Sequence, residues 1–206
     1  MMESVSQRRM VGVAFATVIA VAAIVGVFLV THRAPTVNIE GAPVGYSSVA
    51  ELLEANGLTL VVRPIGDPQS YVDYGADGKP DFEGQAGLPT ELIVCTVTSV
   101  LRGDPGLLGQ SVVVSQPSPD VRDAGGSRES DRLSTGNSYV IVASERRLNP
   151  GVGDGSGPVL VPAPWGYGVY DDLGNGLVAP RVSGLFDGEA PFDQEAFDVR
   201  VFVDAE

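Results

Sequence analysis

The 206-residue chain carries 26 acidic against 13 basic side chains, 26 glycines, 15 prolines, one cysteine and one histidine. Its net charge of −13 repels nucleic acid and anionic lipid headgroups. The lone Cys95 excludes an internal disulfide and a cysteine-built zinc site. The lone His32 sits near the amino terminus and leaves the rest of the chain no imidazole base for a Ser-His-Asp or Cys-His catalyst.

Residues 11–30 (VGVAFATVIAVAAIVGVFLV) contain no ionisable group. As a helix they would reach about 30 Å, the thickness of a bilayer's hydrocarbon core, which predicts a transmembrane helix and membrane contact through this segment. A cleaved signal has a shorter apolar run before its small-x-small site, whereas Ala20-Val21-Ala22 is followed by eight more apolar residues. The segment is therefore expected to remain as a signal-anchor. Arg8 and Arg9 predict a cytoplasmic residue 1–10 segment; Met10-Val11-Gly12 after them does not continue a twin-arginine signal. The expected location is the cell membrane, single-pass, with the C-terminal domain extracytoplasmic.

Residues 31–206 hold 25 of the acidic and 11 of the basic side chains, enough length for one folded unit with a solvated acidic surface. Residues 31–45 read as a tether. Ser48 with Glu51 forms a capping box, Leu52, Leu53 and Ala55 an apolar face, and Asn56-Gly57 a stop, predicting one short helix. A strand follows over 58–65, with Pro64 near its end or at an edge. Residues 66–89 read as a long exposed loop. Within it Asp73, Asp77, Asp81 and Glu83 are candidate calcium ligands, without the Asp-x-Asp-x-Asp-Gly spacing.

Strands over 92–101 and 111–116 should pair as an antiparallel hairpin about Arg102-Gly103-Asp104-Pro105-Gly106, so the integrin-type tripeptide reads as a turn. Alternation places Ile93, Cys95 and Val97 on the core face, because a free cysteine is usually buried and inert. Residues 117–131 read as loop, 134–137 as a turn, 138–144 as a strand, 149–158 as loop and 159–161 as a strand. Residues 165–170 should join 177–179 as a hairpin. The end of the chain fits either a capped helix from Asp193 or a strand over 199–203. These elements predict a mainly β fold: a small, antiparallel, closed or nearly closed barrel over residues 46–182, then a C-terminal tail, 183–206.

The sequence of a capped helix, TSVLRGD, VVVSQ, LSTGNSYVIVAS and a Gly-aromatic hairpin resembles uncharacterised bacterial membrane-anchored extracytoplasmic domains. It is also similar to the OB-type barrels of the netrin and metalloproteinase-inhibitor class. The resemblance covers residues 46–180 and implies an OB-like fold; the inhibitors' disulfides and amino-terminal cysteine are missing here, so inhibition is not implied.

Trp165, Tyr167 and Tyr170, spaced by glycines, are candidate ligand-binding rings, although such residues also pack in curved barrel strands. No cofactor is expected. The reading is a non-catalytic binding or accessory module with an envelope protein or glycan as partner and no nucleic acid. The alternatives are a carboxylate-dependent hydrolase of cell-envelope polymers, which needs two facing carboxylates, a calcium-binding surface domain, or a purely structural envelope protein.

Overall fold

The computed structural model describes residues 37–39, 45–74, 83, 87–123, 126–127, 129–146, 158–188 and 190–204. The membrane segment expected over 11–30 lies outside them, and among the described residues no helix is long and apolar enough to cross a membrane.

The short helix forms where its caps place it, as α1, Val49–Asn56. Ser48 is extended at its start and its hydroxyl accepts from Glu51 N at 3.2 Å. The Glu51 carboxylate reaches back past the cap, accepting from the Ser47 amide at 2.7 Å and hydroxyl at 2.6 Å, and these bonds lower its pKa. Gly57, at φ 76°, closes the helix by donating to the Leu53 carbonyl. Leu52 and Leu53 are buried, each contributing about 2 kcal/mol of apolar burial.

The strands are β1 (Val37–Ile39), β2 (Leu58–Pro64), β3 (Gln69–Asp73), β4 (Leu88–Arg102), β5 (Ser111–Pro117), β6 (Val121–Asp123), β7 (Gly126–Ser127), β8 (Tyr139–Arg146), β9 (Val159–Pro162), β10 (Val169–Gly174), β11 (Leu177–Pro180) and β12 (Phe197–Asp198). One helical turn, α2 (Val201–Asp204), follows. Strands β2, β4, β5, β9 and β8 hydrogen-bond in that order, and β8 returns to β2, closing a five-stranded barrel. Two register shifts between β2 and β4 bend these strands, as closure requires. The barrel is not purely antiparallel, because β5 and β9 run parallel. Its interior holds Leu60, Val62, Ile93, Cys95, Val97, Val114, Tyr139, Ile141, Ala143 and Leu160. The alternation expected for β4 is therefore present, with Val94 on the opposite face 39% exposed.

Strand β8 has two jobs. Tyr139, Ile141 and Ala143 point into the barrel, while Val140 and Val142 point into a second core. Along one side its first residues pair with β10 and its last with β9. The sheet then continues outward through β11 to β12. That outer extension carries the second core: Leu52 and Leu53 of α1, Tyr170, Val178, Leu185, Phe186, Phe192, Phe197 and Phe202.

Further expectations are corrected, among them the loop over 117–131, which holds β6 and β7. Residues 66–89 are not all loop, because β3 pairs with the first residues of β4, Gln69 opposite Leu92. Residues 37–39 of the expected tether pair with β6 as β1. The strand expected over 165–170 begins only at Val169, since Trp165 and Gly166 have φ of 67° and 82° and turn the chain. Residues 183–204 are not a tail outside the domain: their phenylalanines are core, and the segment is neither of the expected elements but β12 followed by one turn of helix.

Thr59 is fully buried on β2, and its hydroxyl finds no hydrogen-bond partner among the described residues. Thr59→Val keeps the shape and removes that unmatched group, so it should raise the unfolding free energy by about 1 kcal/mol in urea denaturation. An equal loss would show that the hydroxyl is satisfied.

Candidate functional site

The predicted ligand rings are brought together, but not as an open platform. Tyr170 is 0% exposed, its ring lies against Phe192, Phe197 and Phe202, and its hydroxyl donates to the Tyr167 carbonyl at 2.9 Å. Burial raises its pKa. It is a core residue and is corrected as a ligand contact. Tyr167 is half-buried, edge-on to Tyr46 at 5.3 Å and to Phe186 at 5.2 Å. Trp165 is partly exposed. Its amide donates to Asp131 Oδ2 at 3.1 Å and the Gly166 amide to Oδ1 at 2.6 Å, so a buried carboxylate occupies the two N–H groups that this turn presents.

The glycines here serve packing rather than ligand approach. A Cβ on Gly168 would fall on the backbone nitrogen and oxygen of Ala163. At this point β8 passes from one partner to the next: the Val142 amide donates to the Gly168 carbonyl at 3.0 Å, and the Ala163 amide donates to the Val142 carbonyl at 2.9 Å.

One end of the barrel is sealed by polar groups. Gln116, buried on β5, donates to Glu91 at 3.1 Å and accepts from the Leu133 amide at 2.8 Å. Arg132 donates to the Pro117 carbonyl at 2.6 Å and pairs with Glu91 at 3.0 Å. Arg181 donates to the carbonyls of Ser130 and Arg132 and lies over the Tyr139 ring. Tyr139's hydroxyl is met by Ser134 and Asn137 of the turn that precedes β8. Each of these charges has a partner within the fold, which makes the cluster a clasp for residues 129–133.

Of the calcium candidates, Asp77 and Asp81 lie outside the described residues. Asp73 ends β3 and pairs with Arg146 at 2.9 Å, while Glu83 is exposed in a turn. Among the described residues no group of three metal-ligating side chains forms. Cys95 is buried in the barrel, and burial pushes its thiol up to about 12 from an ordinary value near 9. The unfolded thiol ionises first as pH rises, so the contribution is intact below about pH 9 and is lost between about 9 and 12. Native protein at pH 8 should show no reaction with a thiol reagent such as DTNB, and one equivalent after addition of denaturant. Rapid labelling of the native protein would contradict the buried position.

A concave feature lies beside the rings, on the second core. A groove of about 310 Å³ is lined by Ser48 and Val49 at the start of α1, Phe186, Ala190, Pro191 and Phe192, and Val201 and Asp204 of α2. Phe186 reaches it from an unusual backbone: Phe186 and Asp187 sit at φ 53° and 56°, between Gly184 and Gly188 at 76° and 75°. Left-handed geometry costs a non-glycine residue roughly 1–2 kcal/mol, offset here by ring contacts of Phe186 with Tyr167 and with Phe192 at 4.5 Å. Sequence reading missed these residues because Phe186, Phe192, Phe197 and Phe202 follow neither strand nor helix spacing. The available signal was compositional: four of the seven phenylalanines fall within residues 186–202, too many for a solvated tail. Compared with family models, curated proteins and solved structures, the chain matches none.

Proposed function

We propose that the protein is a non-catalytic binding or accessory module, held at the cell membrane by a helix over residues 11–30 with its barrel on the extracytoplasmic side. The observation that carries the binding reading is the groove. Its walls are mainly apolar, as in ligand-binding clefts generally. Its one hydroxyl, on Ser48, is engaged as a helix cap, and no imidazole or thiol reaches it among the described residues. The carboxylates with displaced pKa, Glu51 and Asp198, are both lowered by hydrogen bonds from Ser47 and Arg200, the opposite of what a general acid needs. An OB-like reading of the barrel is supported by its strand order: counted along the chain, its five strands pair first, second, third, fifth, fourth, with the third and fifth parallel. The anchor rests on residues 11–30, whose composition admits no charge into the bilayer.

A photo-crosslinking residue at exposed Ala190, in the full chain within intact cells, should give one discrete adduct. The same residue at Gly109, on the exposed tip of the β4–β5 hairpin, should give none. Adducts at both positions, or at neither, would reject the groove as the working surface.

A further inference from the structure

The groove joins an apolar floor to an acidic surround. Val49, Phe186, Pro191, Phe192 and Val201 form its walls, and the ionisable side chain in its lining is exposed Asp204. Between residues 185 and 204 the described chain carries Asp187, Asp193, Glu195, Asp198 and Asp204 against Arg200 alone. Asp187, Asp193 and Glu195 are exposed, while the Arg200 guanidinium is held by Asp198 at 2.6 and 2.9 Å. Helix α1, whose Val49 lines the groove, carries exposed Glu51 and Glu54. Like charges around a low-dielectric surface add their fields, so this region attracts cations and repels a second copy of the chain or an anionic headgroup.

We infer that the groove takes a peptide segment of a partner protein in which an apolar side chain stands next to lysine or arginine. The apolar group packs on the half-buried lining residues Val49, Pro191 and Val201, above the buried rings of Phe186 and Phe192, and the cation lies toward Asp204. An extended chain is favoured over a compact ligand because Asp187 and Asp193 follow the lining residues Phe186 and Phe192 in the chain without lining the groove themselves, so a ligand meets them only by running past its floor. This rests on the binding-module reading and adds the chemistry of the partner. Electrostatic complementarity of this kind gives selectivity and salt dependence more than raw affinity.

The full-length chain in non-ionic detergent would be titrated against three fluorescent peptides of equal length, read by anisotropy. One combines leucine and phenylalanine with lysines, one replaces the lysines by glutamates, and one replaces the apolar residues by serines. The first should bind at least about tenfold more tightly than either of the others. Asp204→Asn should weaken it about threefold and flatten its salt dependence. Ala190→Trp, which plugs the groove from an exposed position, should abolish it while leaving the unfolding midpoint unchanged. Absence of binding, equal binding of all three peptides, or binding that survives Ala190→Trp would overturn the inference. So would benzyltrimethylammonium binding as tightly as the peptide, which would make the groove a small-cation site. A discrete Ala190 adduct in cells alongside any of these failures would leave the binding module standing and reject only its cationic-peptide partner.

Discussion

Phe192→Ala is expected to lower the unfolding free energy by about 4 kcal/mol, measured by urea denaturation of the full chain in detergent with the single Trp165 as fluorophore. The ring lies at the centre of the second core, 4.5 Å from Phe186, 4.7 Å from Phe197 and within 6.3 Å of Tyr170 and Phe202. Removing it opens a cavity whose walls belong to the outer sheet and to residues 185–204. Rings held by one another cannot close that space without moving the backbone. Phe192→Leu fills most of the volume and should cost about 1.5 kcal/mol or less. The truncation should also widen the groove that Phe192 lines. A loss under about 1 kcal/mol for Phe192→Ala would mean that residues 185–204 do not dock as described.

Gly168→Ala should be nearly as damaging, about 3 kcal/mol, although it adds a single methyl group. That methyl would meet the nitrogen, oxygen and Cα of Ala163, and backbone cannot rotate aside as a side-chain end can. Relief requires β9 or β10 to shift, and either movement breaks a Val142 hydrogen bond at the place where β8 changes partner. Gly66→Ala is the control. It has open space and a backbone that other residues adopt, so the substitution should be neutral or stabilise by about 0.5 kcal/mol. Gly184→Ala also has open space, but at φ 76° it should cost about 1 kcal/mol from backbone strain alone. This order, with Gly168 worst, Gly184 intermediate and Gly66 harmless, separates steric contact from dihedral preference. Equal tolerance at Gly168 and Gly66 would contradict the close approach of the two backbones.

The contrast between these two glycines shows where sequence reading loses its hold. Alternating Gly and aromatic residues over 165–170 are consistent with a surface that welcomes a ligand and equally with tight internal packing. Only the position of Ala163 decides that Gly168 makes room for another strand. The same holds for Tyr170, whose neighbours Phe192, Phe197 and Phe202 come from the end of the chain. None of the three rings expected at a ligand surface lines the groove. Tyr167 touches Phe186, one ring away from the lining, whereas Phe186 and Phe192 carried no local pattern to mark them.

The features legible in the chain alone are those governed by neighbours a few positions apart. Ser48 and Gly57 bound α1, because a cap answers only to its own helix end. The β4–β5 hairpin and its buried Cys95 face follow from alternation and a turn of high local propensity. Asn175-Gly176 closes β10 onto β11 because both residues tolerate positive φ, here 54° and 78°. Tertiary structure alone decided the pairing of β3 with β4, the closing of the barrel by a parallel β5–β9 pair, and the docking of residues 185–204. In each case the stabilising contact joins segments far apart in the chain, so burial is set by what arrives from elsewhere and leaves no period in the local sequence.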